Sequence, residues 1–183
     1  NVEEGDSLHI RDPTFRAYGP IMPKIEIEKI VEAKKAGFDK FFLSYVEEQK
    51  DIDNFREYVG DAEIVAKIES KRGLWYVENQ FKKEDNISLM SACGDLYIEV
   101  DKPHDILPAL KKIISKDSQA YIGSRMLLSL VKDSVPSFSD LGHLAGMYEM
   151  GYRRFMLCDE LCLKEEMLAR AVNVFDAFRN SYS

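Results

Sequence analysis

The chain has 183 residues, 45% of them hydrophobic, with a formal net charge of -7 and no cluster of basic residues. That length fits one domain with a sizeable core. The acidic balance argues against nucleic acid as a partner, and apolar runs as short as Phe41-Phe42-Leu43 cannot span a bilayer. Residues 1–24 read as an irregular N-terminal segment or linker, with a short strand over 7–11 and turns at Asp12-Pro13 and Gly19-Pro20. A regular alternation then begins. A helix is predicted over 25–36, with Ile27, Ile30 and Val31 on its apolar side and Gly37 as its cap. A strand follows over 38–45, a helix over 51–58, and a strand over 63–68. The next helix, over 72–82, is expected to pack through Trp75, Val77 and Phe81. A strand over 87–92 leads to a helix over 106–114, with Pro103 and Pro108 marking its first turns. A strand over 119–123, a short helix over 126–131, a helix over 139–150 and a strand over 154–158 come next. A helix over 164–178 closes the pattern, with Leu168, Val172 and Phe175 on one stripe.

Strands alternating with helices predict a parallel sheet with crossover helices, and strands apolar on both faces predict that the sheet is covered on both sides. In such folds the chemistry sits at the carboxyl ends of the strands. Ser44, Lys67, Glu69, Asp95, Ser124, Asp159 and Glu160 gather at those ends. Lys67 and Glu69 are two residues apart on one strand, so their side chains share a face. Gly94-Asp95 lets the chain turn tightly beyond the next strand and present a second carboxylate there. Two carboxylates suit a hard divalent cation such as magnesium. A lysine beside them can donate a proton or neutralise an enolate. The same charges also make a plain ion pair at a strand end, and both readings stay open on residue types alone. Cys93, Cys158 and Cys162 have no zinc-ligand spacing, which favours a reducing, cytoplasmic setting. No signal-peptide pattern opens the sequence. Cys93 reads as a small loop residue before a reactive thiol, His143 as a packed or capping residue, and His9 and His104 as exposed. Tyr97 reads as a packing residue, and residues 47–51 as a solvated helix start.

Four segments resemble the pyruvate kinase family, in order. Ala66-Lys67-Ile68-Glu69-Ser70 is similar to its Ser/Ala-Lys-Ile-Glu-Asn, and Ser91-Ala92-Cys93-Gly94-Asp95-Leu96 to its Val-Ala-Arg-Gly-Asp-Leu. Ile122-Gly123-Ser124-Arg125-Met126-Leu127 is similar to Cys-Ala-Thr-Gln-Met-Leu, and Phe155-Met156-Leu157-Cys158-Asp159-Glu160 to Ile-Met-Leu-Ser-Gly-Glu. The resemblance implies an α/β fold of the (β/α) TIM-barrel type. Residues 25–183 would form the second half of the barrel, an incomplete one with about five parallel strands. It implies metal-dependent phosphoryl transfer between phosphoenolpyruvate and ADP, impaired in this chain alone. A non-catalytic homologue that binds a partner or metabolite, and a metal-dependent pyruvate aldolase, are the alternatives. Carried over, Lys67 is the catalytic lysine, and Glu69 and Asp95 are ligands of magnesium or manganese. Ala92, Gly94 and Asp95 bind the substrate carboxylate, Ser124 supplies a catalytic, substrate-binding hydroxyl, and Glu160 supports the site. A monovalent-cation site is not identifiable. The sequence departs from the family pattern at Cys93 (arginine), Arg125 (glutamine), Phe138 (arginine), His143 (aspartate) and Gly146 (asparagine). The expected partners are a small-molecule substrate and either a second copy or a completing chain, because an open barrel exposes sheet edges. No nucleic acid and no membrane are expected.

Overall fold

A computed structural model describes residues 22–123 and 125–182. In chain order the elements are α1 (Lys24–Lys35), β1 (Lys40–Leu43), α2 (Gln49–Val59), β2 (Glu63–Ile68), α3 (Lys71–Asn79), β3 (Ile87–Ala92), α4 (Cys93–Glu99), α5 (Ile106–Lys116), β4 (Tyr121–Gly123), α6 (Phe138–Met150), β5 (Arg154–Met156), α7 (Asp159–Cys162) and α8 (Glu165–Tyr182). Two 3-10 turns, Pro103–Asp105 and Leu128–Val131, complete the set. The five strands form one parallel sheet in the order β1-β2-β3-β4-β5, so every crossover leads to the adjacent strand.

The strand pattern follows from burial. β3 is buried at every position, as a strand covered on both faces must be. Alternate residues separate the two faces. Ile64, Ala66 and Ile68 of β2, Ile87 and Leu89 of β3, and Ile122 of β4 join the main core against the helices. In α5 that core takes Ala109, Leu110, Ile113 and Ile114, a spacing that forms one helical face. The other sheet face is concave. In a flat sheet β1 and β4 would stand roughly 14 Å apart, three spacings of about 4.8 Å. Here the Phe42 and Tyr121 rings meet edge to face at 5.8 Å, and Lys40 Nζ lies 3.0 Å from the Tyr121 hydroxyl. Lys40 also pairs with Glu63 at 2.9 Å, and the Arg154 guanidinium lies over the Tyr121 ring at 5.1 Å. The sheet is therefore curled, a half-barrel whose inner floor is tied across β1, β2, β4 and β5. Higher on the same face, Gly123 leaves the space that Met90 and Met156 fill; a Cβ there would meet Met90 Cε at 2.2 Å.

Among the described residues the buried polar side-chain atoms have hydrogen-bond partners, with the exception of Arg56 Nη2. The Ser91 and Tyr152 hydroxyls are 2.6 Å apart, and Tyr152 donates onward to the Leu110 carbonyl at 2.7 Å, linking β3 to α5. The buried Asp117 carboxylate accepts the Leu89 and Gln119 amides and pairs with Lys83 at 3.2 Å. A second, smaller core gathers Leu127, Leu130, Leu161 and Ala171 beneath α8, separate from the main one.

Several expectations shift at the edges of elements. The strand predicted over 38–45 is paired only over Lys40–Leu43, because Tyr45 turns into the left-handed region at φ 53°. The helix predicted over 126–131 is a 3-10 turn entered through left-handed Arg125 and Leu127. Trp75 is 54% exposed, whereas Val77 and Phe81 pack into the core as expected, joined by Leu74 and Tyr76. Tyr97 and Val172 are exposed as well. Residues 47–51 are a capped helix start: Glu48 and Asp51 form a reciprocal capping box on α2, and Glu48 pairs with Arg72 at 2.9 Å. The strand expected over 7–11, His9 and Ser124 lie outside the described residues.

One close approach ties the sheet to its helices. Ser70 caps α3 by accepting the Gly73 amide at 3.0 Å, and a Cβ on Gly73 would stand 2.7 Å from the Val46 carbonyl oxygen. That neighbour is backbone and cannot swing aside. Gly73→Ala is therefore expected to destabilise the fold by about 1–3 kcal/mol through overpacking, although alanine favours helix by about 1 kcal/mol. Urea denaturation checks this; an unchanged or raised midpoint would mean that the Val46 turn yields.

Candidate active site

Glu69 follows β2 directly, where the pleat turns it to the same face as Lys67. Its carboxylate is 2% exposed, and both oxygens are engaged. Oε1 lies 2.8 Å from Lys67 Nζ, and Oε2 accepts the Tyr45 backbone N–H at 2.6 Å. Lys67 also donates to the exposed Ser44 hydroxyl at 3.1 Å. The local sequence explains how Tyr45 comes to donate. β1 ends at Leu43, and Val46 is fully buried, its amide bonded to the Lys67 carbonyl at 3.1 Å. Between these anchors the chain turns through a left-handed Tyr45, and that turn aims its amide at Glu69. Ser70 donates its hydroxyl to Glu47, which braces the same turn from β2's side.

Asp95 enters from the next strand. β3 pairs Ser91 with Ile68, and α4 begins at Cys93 with no intervening loop, so half-buried Asp95 stands in the first turn of α4 beyond the end of β2. Its charge is felt at Glu69. Burial pushes the Glu69 carboxyl above the usual carboxylate range; the Lys67 ammonium and the Tyr45 amide oppose this, and repulsion from Asp95 adds to it. The Tyr45 phenol is pushed up to about 12 by burial first, then by the charges of Asp95, Glu69, Glu99 and Glu47. The strand ends thus hold one ammonium among several carboxylates.

Among the described residues no group of three or more His, Cys, Asp or Glu gathers as a metal cage. The donor set present is the pair Glu69 and Asp95, which fits a cation that takes one or two carboxylates and keeps waters and substrate oxygens as its other ligands, as magnesium does. Their mutual repulsion is what such a cation would relieve. Ala92 and Gly94 flank Cys93 at the start of α4, whose thiol is buried and pushed up to about 12 by that burial. It is an inert packing group, as expected. Glu160 stands exposed in the first turn of α7, where its own amide and the Cys158 thiol hold its carboxyl below the usual range. Sequence reasoning brought Lys67, Glu69 and Asp95 together but missed Tyr45, whose contribution to Glu69 is a backbone amide. The only sequence signal was its place just past the end of a strand.

A curled parallel sheet with a lysine–carboxylate pair at the end of one strand and a second carboxylate at the end of the next defines a (β/α)-barrel protein with its polar site at the carboxyl ends of the strands. A family model of the pyruvate kinase barrel domain matches residues 19–160. The chain belongs to the pyruvate kinase family. Among curated relatives, a pyruvate kinase of Methanocaldococcus jannaschii is 27% identical over 168 residues, 87% of this chain and 36% of that protein. One of Thermoplasma acidophilum is 31% identical over 132 residues, 68% of this chain and 24% of that protein. One of Thermotoga maritima is 26% identical over 137 residues, covering 70% and 28%. The chain thus spans 24–36% of the length of these relatives.

The repulsion between Asp95 and Glu69 has a measurable sign. In the metal-free protein Asp95→Asn should lower the Glu69 pKa, read from its carboxyl carbon shift in a pH titration by NMR. A raised folded pKa means that the native state binds a proton the unfolded chain has released. Stability therefore falls as pH rises from the ordinary 4.5 through the raised value. The variant should narrow that window; an unmoved Glu69 titration would show that Asp95 does not act on it.

Proposed function

We propose that this chain is the part of a pyruvate kinase barrel that carries the phosphoryl-transfer lysine and both divalent-metal ligands, acting on phosphoenolpyruvate, pyruvate and ADP. The observation that carries the reading is the pair of half-buried Lys67 and buried Glu69 at 2.8 Å with the Asp95 charge bearing on it. Lys67, held by Glu69 and Ser44, places an ammonium where charge on a moving phosphoryl group is offset. Glu69 and Asp95 would hold magnesium or manganese, which when bound supplies positive charge for the enolate oxygen. The Tyr45 amide fixes Glu69 in one orientation, so the ligand is set before substrate arrives. Amides at Ala92–Asp95 would orient the substrate carboxylate, Ser124 would supply a hydroxyl, and Glu160 would support the site from beyond β5. The described cysteines Cys93, Cys158 and Cys162 are all free, which supports a reducing, cytoplasmic setting. No helix among the described residues is long and apolar enough to cross a membrane. Among the described residues β1 and β5 pair on one side only, and further strands, from the same polypeptide or from a second chain, would complete the barrel.

Calorimetric titration with magnesium or manganese should show one site, removed by Asp95→Ala; equal binding by both proteins would overturn the assignment. In a lactate dehydrogenase-coupled assay with phosphoenolpyruvate, ADP, magnesium and potassium, these 183 residues alone should stay at background. Turnover on the order of 1 per second, ordinary for a kinase, would show that nothing further is needed. Metal binding without turnover in a completed barrel would instead assign the chain to the non-catalytic homologues, a reading favoured by the departures at Cys93 and Phe138.

Sedimentation checks the open edges separately. At micromolar concentration the 183-residue chain should run as a dimer or larger. A monodisperse monomer that binds no hydrophobic dye would show that its edges need no cover.

A further inference from the structure

Three of the five positions at which the sequence leaves the family pattern fall together. Cys93, Arg125 and His143 line one cavity of about 190 Å³ between α4, α5 and α6, whereas Gly146 and the exposed Phe138 stand outside it. Relative to the family letter at its position, the cysteine at 93 in place of an arginine removes side-chain volume. Leu107, Leu110, Met147 and Tyr97 make the walls apolar.

Among the described residues the cavity carries one formal charge. None of them that lines it is a carboxylate, and no described carboxylate pairs with Arg125. The Arg125 guanidinium lies 5.8 Å from the Tyr97 ring centroid, and its charge reaches Cys93. His143 is half-buried, its ring bonded to the Arg125 backbone; burial holds its pKa below the usual histidine value, so it is neutral near pH 7. An isolated cation at an apolar opening, on a chain of net charge -7, is an unusual local sign. A guanidinium fork matches a carboxylate bidentately, and the apolar walls match a hydrocarbon body. Sites for drug-sized ligands run to roughly 300–1,000 Å³, so this smaller one sets the class at short aliphatic or single-ring acids.

We propose that this cavity is a binding site for a small carboxylate with an apolar body, its carboxylate on Arg125 and its body against Leu107, Leu110 and Met147. It is separate from the strand-end site: Cys93 lines it, whereas Asp95, two residues on in α4, bears on Glu69.

The test titrates benzoate and butyrate, with benzamide as the uncharged control, into the full chain with its methyl groups labelled for carbon-13 NMR. Benzoate should shift the Leu107, Leu110 and Met147 methyls saturably, and benzamide should bind about tenfold more weakly, the order of one charge-assisted contact. Arg125→Gln, at an exposed position, should weaken benzoate about tenfold and leave benzamide unchanged. Leu107→Trp, which fills the opening, should abolish both. Asp95→Ala should bind benzoate as the native chain does, even where it loses magnesium, so this proposal and the strand-end assignment fail independently. Absence of saturable shifts at these methyls, equal affinity for acid and amide, or benzoate binding lost in Asp95→Ala would each overturn the proposal.

Discussion

A carboxylate taken out of water is costly unless its charge and both its oxygens are met, and Glu69 is such a group at 2% exposure. Lys67 meets one oxygen and the Tyr45 amide the other. The second contact requires Tyr45 to stand in the left-handed region, which costs a non-glycine residue about 1–2 kcal/mol. That conformation is held because Val46 is buried and hydrogen-bonded to β2, and Val46 fits only because position 73 has no side chain. The loop after β1, the end of β2 and the first turn of α3 are thus one unit, and the orientation of a single carboxylate depends on all three.

The curl of the sheet gives that unit its setting. Lys40, Glu63, Tyr121 and Arg154 draw β1, β2, β4 and β5 together at one end of the concave face. Met90 and Met156 meet over Gly123 in its middle. The polar strand ends are left at the opposite rim, where Lys67, Glu69 and Asp95 stand. Apolar filling between a polar floor and a polar rim gives such a site a low-dielectric side, and electrostatic pairing counts for more there than in water.

The strands were legible because continuous apolar runs in a covered parallel sheet leave a strong trace, and Lys67 and Glu69 were legible because a period of two fixes their common face. What escaped was conformation without side-chain signature. Tyr45, Arg125 and Leu127 adopt positive φ where no glycine or asparagine announces it. Those residues shorten one predicted strand and turn one predicted helix into a 3-10 turn. α4 escaped as an element because it has only seven residues and starts at the end of β3. Trp75 misled for a different reason: Leu74, Tyr76 and Val77 already occupy the buried side of α3, and a ring at position 75 projects away from it.

The two hydrophobic clusters are unequal. The larger joins β1 to β4 and the helices from α1 to α6, with Phe155 of the partly buried β5 packed against it, whereas the smaller holds α7 and α8 through a few side chains. Such a molecule opens in parts, not all at once. Amide protons of α8 would exchange with solvent through partial openings that leave β2 and β3 closed, so the rim around Glu160 can loosen while Lys67, Glu69 and Tyr45 keep their places. The polar strand ends of β2 and β3 thus stand on the more firmly packed part of the sheet, and Glu160 on the part that opens first.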